Sequence, residues 1–307
     1  MKMDRQKTNN IDKPATRKRG NRLGFWFFEM FIRISGLYGA YGFLYIVSLY
    51  YIIFDKEAVY SAKPYIEKRF PQSGYFKKYL HIYRLFISQG RQLIDRFSVI
   101  CSKKDVFDLK LNGYEKLKNI IQESEKGLIL LTSHFGNWQI ALTALNKLDK
   151  KVFLLMREED NQAVRDFLNV GNEKGDINII SPEQEFGGVI EIVNALSKGH
   201  IVSIMGDRRY GSKASKVNFL GDYAYFPYSA FAIAASAKCP VVVLLAAKNT
   251  AHEYVVDVTN VLYPQCSRRK KDIELVPWLQ QYANILEEFA NRYPYQCFLF
   301  HDIWKDE

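Results

Sequence analysis

The feature that most limits how this 307-residue chain can fold is an uncharged run near its start. Residues Ile34 to Phe54 contain no Asp, Glu, Lys or Arg over 21 positions, about the length of a helix that crosses a hydrocarbon core of roughly 30 Å. Its five tyrosines and three glycines also fit a helix that lies in the membrane interface without crossing. A buried core helix is the third possibility, whereas a cleavable signal peptide would be shorter. We predict a membrane-associated helix over residues 23–54.

A strongly basic segment precedes this run. Residues 1–22 carry eight Lys or Arg and two Asp, so they hold +6 of the chain's formal charge of +10. Such a tail can bind nucleic acid or an anionic membrane surface, or can simply be solvated. Because it adjoins an apolar segment of membrane length, we interpret it as a disordered tail close to the membrane, and we expect no nucleic-acid partner.

The cysteines and histidines indicate neither a metal site nor a disulfide framework. The four cysteines are far apart and form no CxxC pair, and the five histidines do not cluster in the sequence. We therefore expect no metal and no cofactor, and a reducing, cytosolic setting for the main domain.

After the apolar run, the residue pattern changes twice. Residues 55–108 predict a helical layer, interrupted at Pro64 and at residues 70–74. Over residues 109–307, apolar runs of strand length alternate with amphipathic segments, which predicts an α/β domain with a largely parallel central sheet flanked by helices. The expected strands are 128–132, 151–156, 177–180, 201–205 and 241–246, with an edge strand at 254–261. The expected helices are 114–125, 137–148, 161–173, 188–197, 228–237 and 273–293.

Chemically useful side chains follow the strands of this predicted sheet. His134 comes after the first strand, Arg157 after the second, and Asp207, Arg208 and Arg209 after the fourth. In open α/β sheets, the active cleft lies beyond the carboxyl ends of the strands. We therefore expect a base, a carboxylate and several cations to meet there. Taken singly, each charged residue could instead be a solvated loop residue.

His134 is the candidate base because it stands between an apolar strand and a helix, beside the turn residue Gly136. Histidine serves as an acid or base near neutral pH, and the unpaired N–H groups of a helix start favour an anion beside it. A hydrogen-bonded structural histidine is the alternative reading of the same position.

Several blocks of the chain resemble one enzyme family. Residues His134 to Gln139, HFGNWQ, are similar to the H-x-G-N-W-E box, the HX4E motif of the bacterial lipid A late (lauroyl/myristoyl) acyltransferases. Four further blocks follow in the family's order, namely 156–161 (R-x-x-N), 195–211 (L-x-x-G and D-x-x-x-G), 217–221 (V-x-F-F-G) and 293–304 (P-E-Q-W-x-W-x-H-x-R-W). Together the resemblance covers about residues 25–304.

This resemblance implies an acyltransferase at the bacterial inner membrane, with its catalytic domain on the cytoplasmic side. The acyl donor would be acyl carrier protein, and the acceptor a hydroxyl of a membrane glycolipid such as a lipid A precursor. A departure from the motif at Gln139 leaves an amine or a related lipid open as the acceptor. Basic residues would suit the acidic carrier and anionic head groups. A single span with a cytosolic basic tail would place the domain outside the cell. A non-spanning helix, or a tail that crosses despite its charge, would resolve this conflict.

The resemblance also implies roles for individual residues. His134 would be the general base on the acceptor hydroxyl, and the residue at position 139 would orient it. Asp207 is expected in the catalytic group, in a structural or acceptor-binding role. The residues expected to bind substrate are Asn137, Arg157, Arg208 and Arg209.

The chain departs from the family motif at Gln139, where the motif has Glu. An amide carries no negative charge, and the same replacement in a catalytic triad can lower turnover about 10⁴-fold. Three outcomes are open: the Gln139 carbonyl holds the histidine tautomer, another carboxylate such as Asp207 takes over, or the protein is a catalytically inactive lipid-binding or scaffold relative. We favour retained acyl transfer, because His134, Asn137 and the terminal block are present.

Overall fold

The computed structural model describes residues 22–102, 106–143, 148, 150–156, 177–183, 185–209, 213–267 and 271–306. Most of the basic tail, the expected helix at 161–173 and Arg157 lie outside these residues.

Three helices open the described chain: α1 (Arg22–Phe54), α2 (Lys56–Arg69) and α3 (Tyr75–Ser102). Helix α1 bends at Gly36, whose φ of 65° lies outside the helical region. The predicted interruption at Pro64 is wrong, because this proline lies inside α2. A proline within a helix removes one hydrogen bond to the carbonyl four residues earlier. Here that residue is the exposed Tyr60, so its carbonyl can bind water.

Helix α1 packs on the protein with one face and leaves the other exposed. Ala40, Tyr41, Leu44 and Ser48 are buried at helical spacing. The exposed apolar face of α1 consists of Tyr38, Tyr45, Ile46, Leu49, Tyr50, Ile53 and Phe54. By length and composition Ile34–Phe54 could cross a membrane, and 22% of its most apolar window is buried. Helix α1 is thus neither a core helix nor an isolated one.

The remaining described elements form three sheets, six α-helices and a 3₁₀ helix at Glu185–Gly188. The strands are β1 (Asp108–Asn112), β2 (Leu128–Thr132), β3 (Val152–Leu155), β4 (Ile177–Ile180), β5 (Ile201–Met205), β6 (Ala214–Phe219), β7 (Asp222–Pro227), β8 (Val241–Val243), β9 (Leu245–Lys248), β10 (Glu253–Asp257) and β11 (Val261–Leu262). The helices are α4 (Tyr114–Glu123), α5 (Trp138–Thr143), α6 (Val189–Ser197), α7 (Ser229–Ala237), α8 (Lys271–Glu274) and α9 (Val276–Arg292).

The main sheet has six strands in the order β11-β8-β2-β5-β3-β4. All of its pairs are parallel except β11 with β8. Alternate residues of β2 enter different cores: Ile129 and Leu131 pack in a cluster with residues of α7 and α9, whereas Leu128 and Leu130 pack with residues of α4 and α5. Burial on both faces explains why β2 is a continuous apolar run. The predicted α/β class with a largely parallel sheet is confirmed.

The apolar run predicted as a single strand at 241–246 forms two strands in two sheets. Strand β8 joins the main sheet, whereas β9 joins a three-stranded sheet in the order β1-β10-β9. Strand β10 is therefore central in that sheet, so its prediction as an edge strand is wrong. Its Tyr254 is fully buried. The alternation in this segment cannot reveal the two strands that pair with it, since both come from elsewhere in the chain.

A buried ion pair joins helices α1 and α3 to the three-stranded sheet. Asp95 of α3 is completely buried and lies 2.7 Å from Lys248 Nζ. Its carboxylate also accepts hydrogen bonds from the hydroxyls of Tyr41 and Tyr254. The Lys248 ammonium makes a second hydrogen bond, to the carbonyl of Ala251. These contacts offset part of the cost of removing both charges from water; burial still raises the pKa of Asp95 and lowers the pKa of Lys248.

We predict that Asp95→Asn lowers the free energy of unfolding by about 3–5 kcal/mol, because it leaves the Lys248 ammonium buried without a counter-charge. Urea unfolding followed by circular dichroism measures this loss. The matched control is Glu115→Gln, which breaks an exposed pair with Lys118 and is expected to cost less than about 1 kcal/mol. Equal losses in the two variants would contradict the prediction.

Candidate active site

His134 lies in a turn that the C-terminal segment holds in place. The amide of Phe298 donates to the carbonyl of His134 at 2.8 Å, and the amide of Gly136 donates to the carbonyl of Gln296 at 2.7 Å. Phe135, between them, forms a β-bridge with Cys297. Residues 296–298 thus act as a short extra strand along the turn.

The turn needs glycine at position 136 for two reasons. Gly136 has a φ of 55°, a conformation that side-chain-bearing residues adopt at a cost. A Cβ at this position would also lie 1.5 Å from the carbonyl oxygen of Ala246. The backbone of the turn therefore packs directly on strand β9.

Asp207 is the side-chain partner of His134. Its Oδ1 lies 2.9 Å from His134 Nδ1, and its Oδ2 accepts a 2.6 Å hydrogen bond from the backbone amide of His134. In the parallel register of β2 and β5, Thr132 pairs with Met205, and His134 and Asp207 each lie two residues further along. The strand pairing itself brings the imidazole and the carboxylate together.

The buried carboxylate of Asp207 is ionised near neutral pH. Burial alone would raise the pKa of Asp207. The charge and hydrogen bonds of His134 outweigh that effect, with help from the charge of Arg208, and lower the pKa of Asp207 to about 2. An ionised carboxylate at Nδ1 favours the tautomer with its proton on Nδ1 and leaves Nε2 to accept a proton.

Gln139, in contrast, contacts α3 rather than His134. Its side chain is buried, and its carbonyl oxygen accepts a hydrogen bond from Arg96 Nη1. Burial lowers the pKa of Arg96 to about 10, so this guanidinium stays charged near neutral pH. The geometry therefore places Asp207, not Gln139, where the resemblance led us to expect the orienting residue.

The other predicted site residues have different surroundings. Asn137 is buried and makes hydrogen bonds to the carbonyl of Gln92 and the amide of Ile140. Arg209 donates to Asp306 and to the carbonyl of Lys305. The substrate-binding roles of Asn137 and Arg209 remain predictions, and Arg157 lies outside the described residues.

His301 belongs to the same cluster, although the sequence analysis did not single it out. Neither of its buried ring nitrogens makes a hydrogen bond of ordinary geometry within the described residues, although the backbone of Asp207 lies close enough to raise the pKa of the ring slightly. Burial, and then the charge of Arg208, lower the pKa of His301 to about 4, and the charges of Asp207 and His134 also act on it. The only signal in the sequence was its place in the terminal block that resembles the family signature.

No group of three or more His, Cys, Asp or Glu residues in the described part of the chain is arranged to bind a metal ion. The contact of the His134 imidazole with the Asp207 carboxylate, with the cationic Arg208 close by, can support proton transfer.

Because His301 is neutral in the folded protein, we predict that the free energy of unfolding decreases as the pH is lowered through the range between the unfolded and folded pKa values of this residue. An unfolded histidine takes up a proton near pH 6.5, whereas folded His301 does so only near pH 4. Lowering the pH from 7 to 5 should cost about 1–2 kcal/mol through this residue. Urea unfolding at both pH values should show a smaller loss for His301→Gln, and an unchanged loss for the exposed control His252→Gln. Equal losses in all three proteins would contradict the prediction.

Comparison with known proteins agrees with the motif resemblance. No curated protein matches the chain. Among solved structures, the crystal structure of the 1-acyl-sn-glycerophosphate (LPA) acyltransferase PlsC from Thermotoga maritima aligns with a TM-score of 0.39 and 14% sequence identity, over 80% of this chain and 97% of that chain. The sequence model of the family described as bacterial lipid A biosynthesis acyltransferase matches residues 27–306. The match covers nearly the whole chain, so this protein belongs to the bacterial lipid A biosynthesis acyltransferase family, whose enzymes act on lipid substrates.

Proposed function

We propose that this protein transfers a fatty acyl group from acyl carrier protein to a hydroxyl or amine of a membrane glycolipid, such as a lipid A precursor. His134 acts as the general base and Asp207 as its carboxylate partner. The observation that carries the proposal is the contact between His134 Nδ1 and the buried Asp207 carboxylate.

The proposed reaction needs one base and no metal. Nε2 of His134 takes the proton of the acceptor hydroxyl while the hydroxyl oxygen attacks the thioester carbonyl of the donor. The tetrahedral intermediate then collapses, the C–S bond breaks, and the proton on His134 passes to the leaving thiol. Asp207 keeps the ring oriented throughout and stabilises the positive charge that the ring carries between the two transfers. Arg208 supplies positive charge beside this group.

The neutral residue at position 139 is compatible with activity in this scheme. Gln139 satisfies a hydrogen bond of the buried Arg96, and the negative charge next to His134 comes from Asp207. The absence of a glutamate in the HX4 motif therefore does not leave His134 without a carboxylate. This favours an active enzyme over a catalytically inactive lipid-binding or scaffold relative.

We further propose that the protein works at the cytoplasmic face of the inner membrane. The exposed apolar face of α1 supports contact with lipid, and the packing of its other face on α3 supports a helix that lies in the membrane surface. A helix held in this way would keep the acyltransferase domain, residues 109–307, on the side of the membrane where acyl carrier protein is found. The division of the chain into a basic tail (1–22), a membrane-associated helix (23–54), a helical layer (55–108) and the acyltransferase domain is part of this proposal.

We predict that His134→Ala lowers thioester turnover of acylated carrier protein at least about 10³-fold, and that Asp207→Asn lowers it about 10²–10⁴-fold, because the ring loses its base function or its correct tautomer. Gln139→Ala serves as the matched control in the same motif and should stay within about tenfold of the wild-type rate. Release of free thiol measures the reaction, and melting temperatures check folding.

Two results would overturn this assignment. A loss in Gln139→Ala as large as that in Asp207→Asn would make Gln139 the partner of His134. Thioester turnover that is absent in the wild-type protein, or unchanged in His134→Ala, would support the inactive lipid-binding relative.

The membrane proposal predicts that Ile46→Ser combined with Leu49→Ser weakens binding to phosphatidylglycerol vesicles about tenfold or more. Each substitution removes an apolar side chain worth roughly 1.5–3 kcal/mol when fully buried. Ile273→Ser removes a side chain of similar exposure from a different helix, α8, and should leave binding unchanged. Vesicle flotation measures binding, and equal flotation of all three proteins would contradict a membrane role for α1.

A further inference from the structure

A cavity of about 470 Å³ lies between α1, α3 and the C-terminal segment. Its wall is polar on one side and apolar on the other. The polar side includes Tyr45, Arg84, Ser88, Arg91, Tyr295 and Gln296, and the apolar side includes Leu80 and Ile87. The catalytic scheme uses none of these side chains.

Two arginines dominate the polar side of this cavity. Arg84 and Arg91 are seven residues apart on α3, so both point to the same side of the helix. Neither forms an ion pair with a carboxylate in the described part of the chain. The Arg84 side chain is exposed and that of Arg91 is half-buried. Two guanidinium groups that face one open cavity without a carboxylate among the described residues make it positively charged, which favours an anionic ligand.

The neighbouring hydroxyls orient these guanidinium groups without neutralising them. Arg91 Nη2 donates to the hydroxyl of Tyr45 at 2.8 Å, and Arg84 Nη1 donates to the hydroxyl of Tyr295 at 3.3 Å. The Nε of Arg91 is buried and has no hydrogen-bond partner in the part of the chain that the structure describes, and the Arg91 guanidinium lies over the rings of Tyr41 and Tyr45. The fork of an arginine matches the oxygens of a phosphate.

The surroundings of the cavity indicate that this phosphate belongs to a lipid. Tyr45 lies both in the cavity wall and on the exposed apolar face of α1. Ile46 and Leu49 continue that face, so apolar surface leads directly away from the two arginines. From the contacts of Arg84 and Arg91 we infer that this cavity binds the phosphate of a lipid head group, with the acyl chains lying along α1.

The C-terminal segment connects this cavity to the turn that carries His134. Gln296 lines the cavity, and its carbonyl accepts the amide proton of Gly136. A lipid bound by its phosphate would therefore sit beside the catalytic turn. The inference rests on the proposed function and deepens it, because a lipid held beside the catalytic turn would be a substrate whose head group carries a phosphate.

Calorimetric titration of the full chain with dihexanoyl phosphatidic acid, below its micelle concentration, tests the inference. Using the His134→Ala protein makes the result independent of catalysis. We expect binding that Arg84→Gln and Arg91→Gln each weaken about tenfold or more, since each removes charge-assisted hydrogen bonds. Arg292→Gln, which removes the same charge from an exposed site, should bind like the parent. Arg91 also lies over the rings of Tyr41 and Tyr45, so Arg84→Gln is the cleaner variant if Arg91→Gln unfolds.

Two further probes identify the source of the phosphate. Inorganic phosphate should bind at least about tenfold more weakly than dihexanoyl phosphatidic acid, because it lacks the apolar chains. Dihexanoylglycerol, which lacks the phosphate, should not respond to Arg84→Gln. The inference is overturned if Arg84→Gln and Arg91→Gln bind the phosphatidic acid like the parent, or if inorganic phosphate binds equally tightly. Neither result would alter the His134-dependent turnover on which the proposed function rests.

Discussion

The parallel pairing of β2 with β5 is the contact on which the active site depends. Both strands are almost completely buried, so a shift of one residue in their register would exchange the side chains that enter the two cores and spoil the packing of both. The register therefore tolerates little variation. Because His134 and Asp207 follow the paired residues Thr132 and Met205 at equal distance, the hydrophobic effect that fixes the strands also fixes the separation of base and carboxylate.

The C-terminal segment completes this arrangement from the other side. The carbonyl of Gln296 accepts the amide proton of Gly136, and its side chain makes two hydrogen bonds to the backbone of Lys248. Lys248 in turn pairs with the buried Asp95 of α3. Through these contacts the helix that carries Arg84 and Arg91, the second sheet and the catalytic turn form one continuous network. The proposed lipid-phosphate site and the proposed catalytic site are therefore both in contact with the C-terminal segment at Gln296.

Position 139 shows that a short sequence motif does not establish which side chain contacts His134. The motif pairs a histidine with an acidic residue five positions later, and Gln139 breaks that pattern. In the folded chain, however, Gln139 contacts Arg96 and the carboxylate beside His134 comes from residue 207. The negative charge beside His134 is therefore present in the fold, but it comes from Asp207, which lies 68 positions after Gln139 in the sequence.

The sequence by itself determined the α/β class, the strands at 128–132, 177–180 and 201–205, the apolar helix near the start and the family, because apolar periodicity and short motifs are local properties. It also named His134 and Asp207 from their places after strands. Only the tertiary structure decided that these two residues touch, that β10 is central in its sheet, and that Arg84 and Arg91 line one cavity with no carboxylate partner in the described ranges. Those outcomes depend on contacts between segments far apart in the chain, and no local pattern records which segments will meet.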